Sequence, residues 1–173
     1  MPTNRVAMAL DNPVKELVRL IELDYSRSSA FIDGLVQREA AIRGLTITVW
    51  TALLGIALDR QNWAMGGLSV LSTAAFAFLD AHYSTLFMQA QEHVIKLEEV
   101  SGLYYRSLAL DEEYAKEDFD SAVHTSRFGL YRDLRPVNVK ALGNTIRQRR
   151  VFRSLYPPLV FISLACVLQL LLS

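Results

Sequence analysis

An aspartate at the edge of an apolar run is the first residue with chemistry to account for. Asp80 closes a window of about 19 residues, 61–79, that holds no lysine, arginine, aspartate or glutamate. On a helix, Ser69, Thr73, Ala77, Asp80 and Ser84 share one face. An acid at membrane depth is costly unless it faces a wet cavity, a partner or the headgroup layer. Two readings of this face stand side by side. In one, several copies assemble and rings of Asp80 and Ser84, continued by Thr73 and Ser69, line a cation-conducting pore. In the other, Asp80 is an interfacial acid bonded to His82, Tyr83 or a basic residue of a neighbouring helix.

The second set is cationic. Residues 121–154 hold eight bases, among them Arg127, Arg132, Arg135, Arg147, Arg149, Arg150 and Arg153, against the single acid Asp133. The preceding residues 80–120 are the reverse, with ten acids and three bases. Arginine forks match phosphate and carboxylate geometry. The segment can anchor an apolar tail on anionic lipid, pair with the acidic stretch, or bind an anionic ligand such as a nucleotide or oligonucleotide, with Phe128, Tyr131 or Phe152 available to stack on a base. No phosphate-cradling glycine loop accompanies it.

Catalysis has little to rest on. His82, His93 and His124 are the three histidines, and the first two lie about 16 Å apart along one helix, too far to share a metal ion. Neither a metalloprotease signature nor a nucleophile elbow is present. Glu98–Glu99 and Glu112–Glu113 suit solvated faces better than acid/base pairs. The chain is read as a non-enzyme without a cofactor.

The elements that would position these residues are helices. Hydrophobic content is 51% over 173 residues, close to a soluble average, yet the apolar residues are segregated into blocks. Residues 44–58 and 61–79 are uncharged and separated by Asp59 and Arg60, which reads as a helical hairpin crossing a bilayer twice. Arg43 and Arg60 snorkel toward headgroups, and Trp63, more than Trp50, suits an interfacial anchor. Gly44, Thr48, Ala52, Gly55 and Asp59 form a small-residue face on the first helix.

About ten unstructured residues precede a helix start at Asn12–Pro13. From Val14, apolar positions recur through Val18, Ile21, Tyr25, Ser28, Ile32 and Leu35 at spacings of four and three. No proline interrupts Val14 to Leu58, so one helix of about 68 Å is expected. The series Phe87, Ala90, Val94, Leu97, Ser101, Tyr104 and Leu108 carries the second helix back out. The two outer arms, 13–43 and 88–118, are expected to pair as an antiparallel stalk.

A connector closed by Pro136 follows, then a short helix from Val137 and a basic helix ending at Pro157–Pro158. Residues 154–173 are uncharged and can span or insert partly. The single cysteine, Cys166, rules out an intrachain disulfide framework. The chain is thus expected to be an all-α membrane protein. Its parts are an amphipathic cytoplasmic helix (1–43), a transmembrane hairpin (44–88), a cytoplasmic helical region with the basic segment (89–154) and a C-terminal membrane helix (155–173).

Six of the eighteen bases precede the first apolar run, one lies in the turn and eleven fall between Asp80 and Ser154. The positive-inside rule then places the N-terminus and residues 80–154 in the cytoplasm. The first forty residues show no cleavable signal peptide.

The amphipathic helix, the hairpin LTITVWTALLGIALDRQNWAMGGLSVLSTAAFAFLDAHY and the returning helix resemble the small two-transmembrane SLATT group of effectors associated with nucleotide signalling in bacterial conflict. The likeness covers residues 13–118 and is architectural; the basic segment and the third apolar run depart from it. It implies an oligomeric inner-membrane effector of antiphage defence that is held or triggered by a nucleotide from a partner nucleotidyltransferase. The leading expectation is therefore a homo-oligomeric, ligand-gated pore. A non-conducting membrane scaffold that docks a soluble partner through its stalk is the alternative.

Overall fold

The computed structural model describes residues 4–110, 129–130 and 134–172. Every element among them is an α-helix: α1 (Asn4–Asp59), α2 (Trp63–Leu110), α3 (Val139–Gln148) and α4 (Arg150–Leu172). Three of the four, α1, α2 and α4, contain segments long and apolar enough to cross a membrane.

α1 runs unbroken through Gly34 and Gly44, as the uninterrupted pattern implies. It begins at Asn4 rather than at Asn12, so the expected helix start is corrected. The residues Val6 to Leu10 are mostly good helix formers, and Pro13 is accommodated within the helix.

The turn between α1 and α2 is set by hydrogen bonds. The Asn62 N–H donates to the Ala57 carbonyl (3.0 Å) and the Gln61 N–H to the Leu58 carbonyl (3.4 Å). This is the Schellman closure of a helix, and it requires a left-handed residue. Gln61 supplies it, with φ 49°. Asn62 then opens α2, its side-chain oxygen accepting from the Ala64 N–H (3.0 Å).

The chain forms two compact units, Met1–Asp33 with Met88–Arg135, and Gly34–Phe87 with Pro136–Ser173. In the first, Ile21, Leu97, Val100 and Leu130 are buried. His93 and Asp24 pair at 3.0 Å, and Asp24 also accepts from the Gly129 N–H (2.8 Å). Gly129 has φ +107°, where a side chain would be strained. Residues 111–128, the acidic stretch and most of the connector, lie outside the described residues.

The second unit is assembled from the inner parts of α1 and α2 with α3 and α4. Asn138 caps α3 by accepting from the Ala141 N–H (2.8 Å). The basic helix expected to end at Pro157–Pro158 is redrawn in two respects. The break falls at Arg149, which is extended (φ −84°, ψ 120°), and α4 continues through both prolines. The donors those prolines lack would have met the carbonyls of Arg153 and Ser154, both exposed residues. Against that loss, a continuous helix aligns Phe152, Tyr156, Leu159, Ser163 and Cys166 as one buried stripe.

Replacing Gln61 by glycine should relieve the left-handed strain and raise the unfolding midpoint in detergent, by the equivalent of roughly 0.5–1 kcal/mol. Gln61→Val, which is β-branched, should lower it.

Candidate functional site

The second unit buries polar side chains and exposes apolar ones. Glu39, Thr46, Ser69, Thr73, Asp80, Ser84, Thr85, Thr145 and Ser163 are all buried. Leu45, Ile56, Leu71, Phe78, Phe161 and Leu168 are all exposed. In water this would be an unfavourable inversion; in lipid the outward surface needs no shielding, and the polar groups must find one another.

They do so at three levels. The deepest in sequence terms is an ion cluster built on α1, α2 and the α3–α4 junction. Glu39 and Arg43 lie one helical turn apart on α1, and Arg43 Nη2 donates to Glu39 Oε2 at 3.0 Å. Arg43 also grips Asp80 with two donors, Nε to Oδ2 at 3.0 Å and Nη2 to Oδ1 at 3.1 Å. The Tyr156 hydroxyl of α4 gives Asp80 a third bond, at 3.0 Å. On the other side, Arg149 Nη1 lies 2.9 Å from both Glu39 oxygens and 3.1 Å from Ser84 Oγ. The Ser84 hydroxyl donates to Glu39 Oε1 at 2.8 Å, and the Arg149 guanidinium sits 4.7 Å from the Phe87 ring centroid.

The formal charges cancel: two carboxylates, two guanidiniums. Asp80 has no exposed surface at all, so Arg43 and the tyrosine hydroxyl stand where water would otherwise meet its oxygens. Arg149 reaches Glu39 from the extended junction between α3 and α4. Just beside the cluster, Ala81, Leu142, Phe152 and Tyr156 close an apolar patch, with the Phe152 and Tyr156 rings stacked at 5.5 Å.

A second level joins α2 to α3 through the Thr85 and Thr145 hydroxyls, 2.9 Å apart. The third lies about 16 Å further along α2 from Asp80. There the Trp50 indole N–H donates to Ser163 Oγ at 2.8 Å, and Ser163 Oγ is 2.9 Å from Ser69 Oγ. Thr73 bonds the Ser69 carbonyl at 2.7 Å. Contact is so close that a Cβ on Gly66 would lie 2.7 Å from Val167 Cγ2.

Ser69, Thr73, Asp80 and Ser84 therefore do share a face, and α1 and α4 of the same chain cover it. The small-residue face on α1 does not: Gly44, Thr48, Ala52, Gly55 and Asp59 are all exposed. Arg43 turns inward to Asp80 instead of snorkelling, and Trp50 is an internal hydrogen-bond donor while Trp63 is exposed near the turn.

The arginines separate. Arg149 belongs to the cluster, whereas Arg147, Arg150 and Arg153 are exposed, Arg153 Nη2 donating to the Arg147 carbonyl at 2.9 Å. Arg135 is exposed and belongs to the first unit, where its N–H donates to Gln89 Oε1 (3.0 Å). Arg127 and Arg132 lie outside the described residues.

Sequence reasoning missed Glu39, Tyr156 and Ser163 as partners. The usable signal was the Glu39–Arg43 pair at i, i+4 immediately before an uncharged run, with Asp80 at the matching end of the next. Nothing local marks Tyr156, whose role depends on how α4 returns.

Arg43→Gln should destabilise the detergent-solubilised protein by about 3–5 kcal/mol, since it strands the buried Asp80 charge, and Asp80→Asn by less, since Arg43 is partly exposed and keeps Glu39. The paired change Arg43→Met with Asp80→Leu should cost much less than the sum, and Tyr156→Phe roughly 1.5–3 kcal/mol. Thermal or denaturant unfolding of the single and double variants checks this. No protein-family model, curated protein or solved structure matches this chain.

Proposed function

We propose that this chain is an oligomeric, pore-forming membrane effector, cation-selective and gated by an anionic ligand at its basic segment, and that the present conformation is the closed one. The observation that carries the reading is the polar seam of Ser84, Asp80, Thr73 and Ser69, buried inside a unit whose outer surface is apolar. Pairing of Glu39 with Ser84 and of Arg43 with Asp80 runs oppositely along α1 and α2, which supports the hairpin.

Arg149 is the natural gate. It is the one described arginine of the 147–153 group inside the cluster, and its side chain remains partly exposed. An anion that drew Arg149 away would leave Glu39 with less counter-charge at the mouth of the seam, an acidic environment that favours cations. The exposed Gly44, Thr48, Ala52 and Gly55 on α1 leave room for close approach by a second copy. With the charge distribution, the cluster would lie at the cytoplasmic side of a bacterial inner membrane. The resemblance to SLATT effectors adds the role in antiphage defence and a nucleotide as ligand.

A non-conducting scaffold is the second reading, favoured by the complete pairing of the four charged groups within one chain. Flux separates the two. In sealed proteoliposomes the gated-pore reading expects low cation flux from the wild type and a rise of at least about ten-fold for Arg149→Gln, the effect of removing a contact worth about 1.4 kcal/mol from the closed state. Equal, background-level flux from the two proteins, both verified as folded, would favour the scaffold.

A further inference from the structure

α3 is a short helix with three distinct stripes. Leu142 and Thr145 point inward, onto the apolar patch and onto Thr85. Val139 and Ile146, two turns apart and so on one side, are 84% and 43% exposed, with Gly143 between them. Lys140, Asn144 and Arg147 make the third stripe, roughly a quarter-turn or more further round, and all three are exposed. An outward valine and isoleucine flanked by cations is the composition of a helix lying in a membrane interface.

Its position agrees with its composition. The helix is followed at once by Arg150 and the apolar α4, whose Phe161, Ile162 and Leu164 are exposed as a lipid-facing helix requires. The boundary between basic and apolar surface thus falls at the α3–α4 junction. Arg150 and Arg153 extend the cationic stripe onto the first turn of α4, a turn that itself contains no acidic residue.

We propose that α3 lies in the headgroup layer and that anionic phospholipid is the ligand of the basic segment: Val139 and Ile146 enter the acyl boundary while Lys140, Arg147, Arg150 and Arg153 hold lipid phosphates. The proposal rests on the membrane reading above and takes anionic lipid, in place of a nucleotide, as the anion. It also ties lipid charge to the buried cluster, because α3 ends at Arg149, whose side chain holds Glu39, and its Thr145 meets Thr85. Movement of α3 into or out of the interface acts on those two contacts directly.

Site-directed spin labelling tests this in the full-length protein. In a Cys166→Ser background, single cysteines replace Val139, Ile146, Asn144 or Phe161, and the labelled proteins are reconstituted in phosphatidylcholine vesicles with or without phosphatidylglycerol. Labels at 139 and 146 should favour collision with oxygen over a water-soluble nickel chelate when phosphatidylglycerol is present, and the label at 144 should favour the chelate. Each basic side chain should change the interfacial partition about five-fold, so Lys140→Gln with Arg147→Gln should weaken the dependence on anionic lipid about twenty-five-fold.

Position 161 keeps two failures apart. If 161 is in water, the membrane reading itself fails. If 161 is in lipid while 139 and 146 meet the chelate, or are shielded from both agents by protein, the interfacial helix is wrong. If 139 and 146 stay in lipid regardless of phosphatidylglycerol, or if added nucleotide and not lipid charge moves them, anionic lipid is not the ligand.

Discussion

A carboxylate with no solvent exposure sets the terms for the second unit. Moving such an ion out of water costs several kcal/mol even after relaxation, and Asp80 has none of its surface left to hydrate. Its oxygens are taken up instead by two donors of Arg43 and a third from Tyr156. Those partners come from different helices, so satisfying one carboxylate fixes where α1 and α4 stand against α2. Glu39 repeats the device one turn away along α1, using Arg43, Ser84 and Arg149. Specificity of assembly follows from geometry: apolar side chains slide past one another at little cost, whereas a forked ion pair accepts one register.

The rest of the unit is consistent with a solvent that exerts no hydrophobic force between helices. Many leucines and phenylalanines face outward, several hydroxyls face inward, and much of the contact is made through small residues and hydrogen bonds. Gly66 against Val167 and Ser69 against Ser163 show how closely α4 approaches α2. Backbone carbonyls take up many of the buried hydroxyls, as at Thr46, Thr73 and Thr85, so they need no water. The ion cluster at one end and the Trp50–Ser163–Ser69 group further along leave few polar atoms without a partner. Ser28 Oγ, in the first unit, is the buried side-chain atom among the described residues that lacks one.

Helix content and the apolar segments were legible because they depend on neighbours in sequence. The uncharged runs flanked by Arg43, Asp59, Arg60 and Asp80 mark helix after helix, and the face of Ser69, Thr73, Asp80 and Ser84 follows from spacing alone. What covers that face was not legible. Spacing shows that residues share a side and says nothing of whether a second copy, a wet pore or α4 lies opposite. The same limit explains α1, where Gly44 to Gly55 looked like the contact stripe by size while the buried positions of that unit are Leu35, Glu39, Thr46 and Ala57. Pro157 and Pro158 misled for a related reason: a local rule about lost donors was outweighed by a buried stripe that exists only once α4 meets its neighbours.

By itself, then, the sequence determined the all-helical class, the three long apolar segments and the succession of an acidic by a basic stretch, since each is a property of composition and short-range periodicity. Tertiary structure alone decided that Arg43 turns inward, that Arg149 reaches Glu39 from the extended junction between α3 and α4, and that Tyr156 completes the coordination of Asp80. Those contacts join residues 37, 110 and 76 positions apart. A charge buried in apolar surroundings selects its partner by proximity in space, and only the folded chain establishes that proximity.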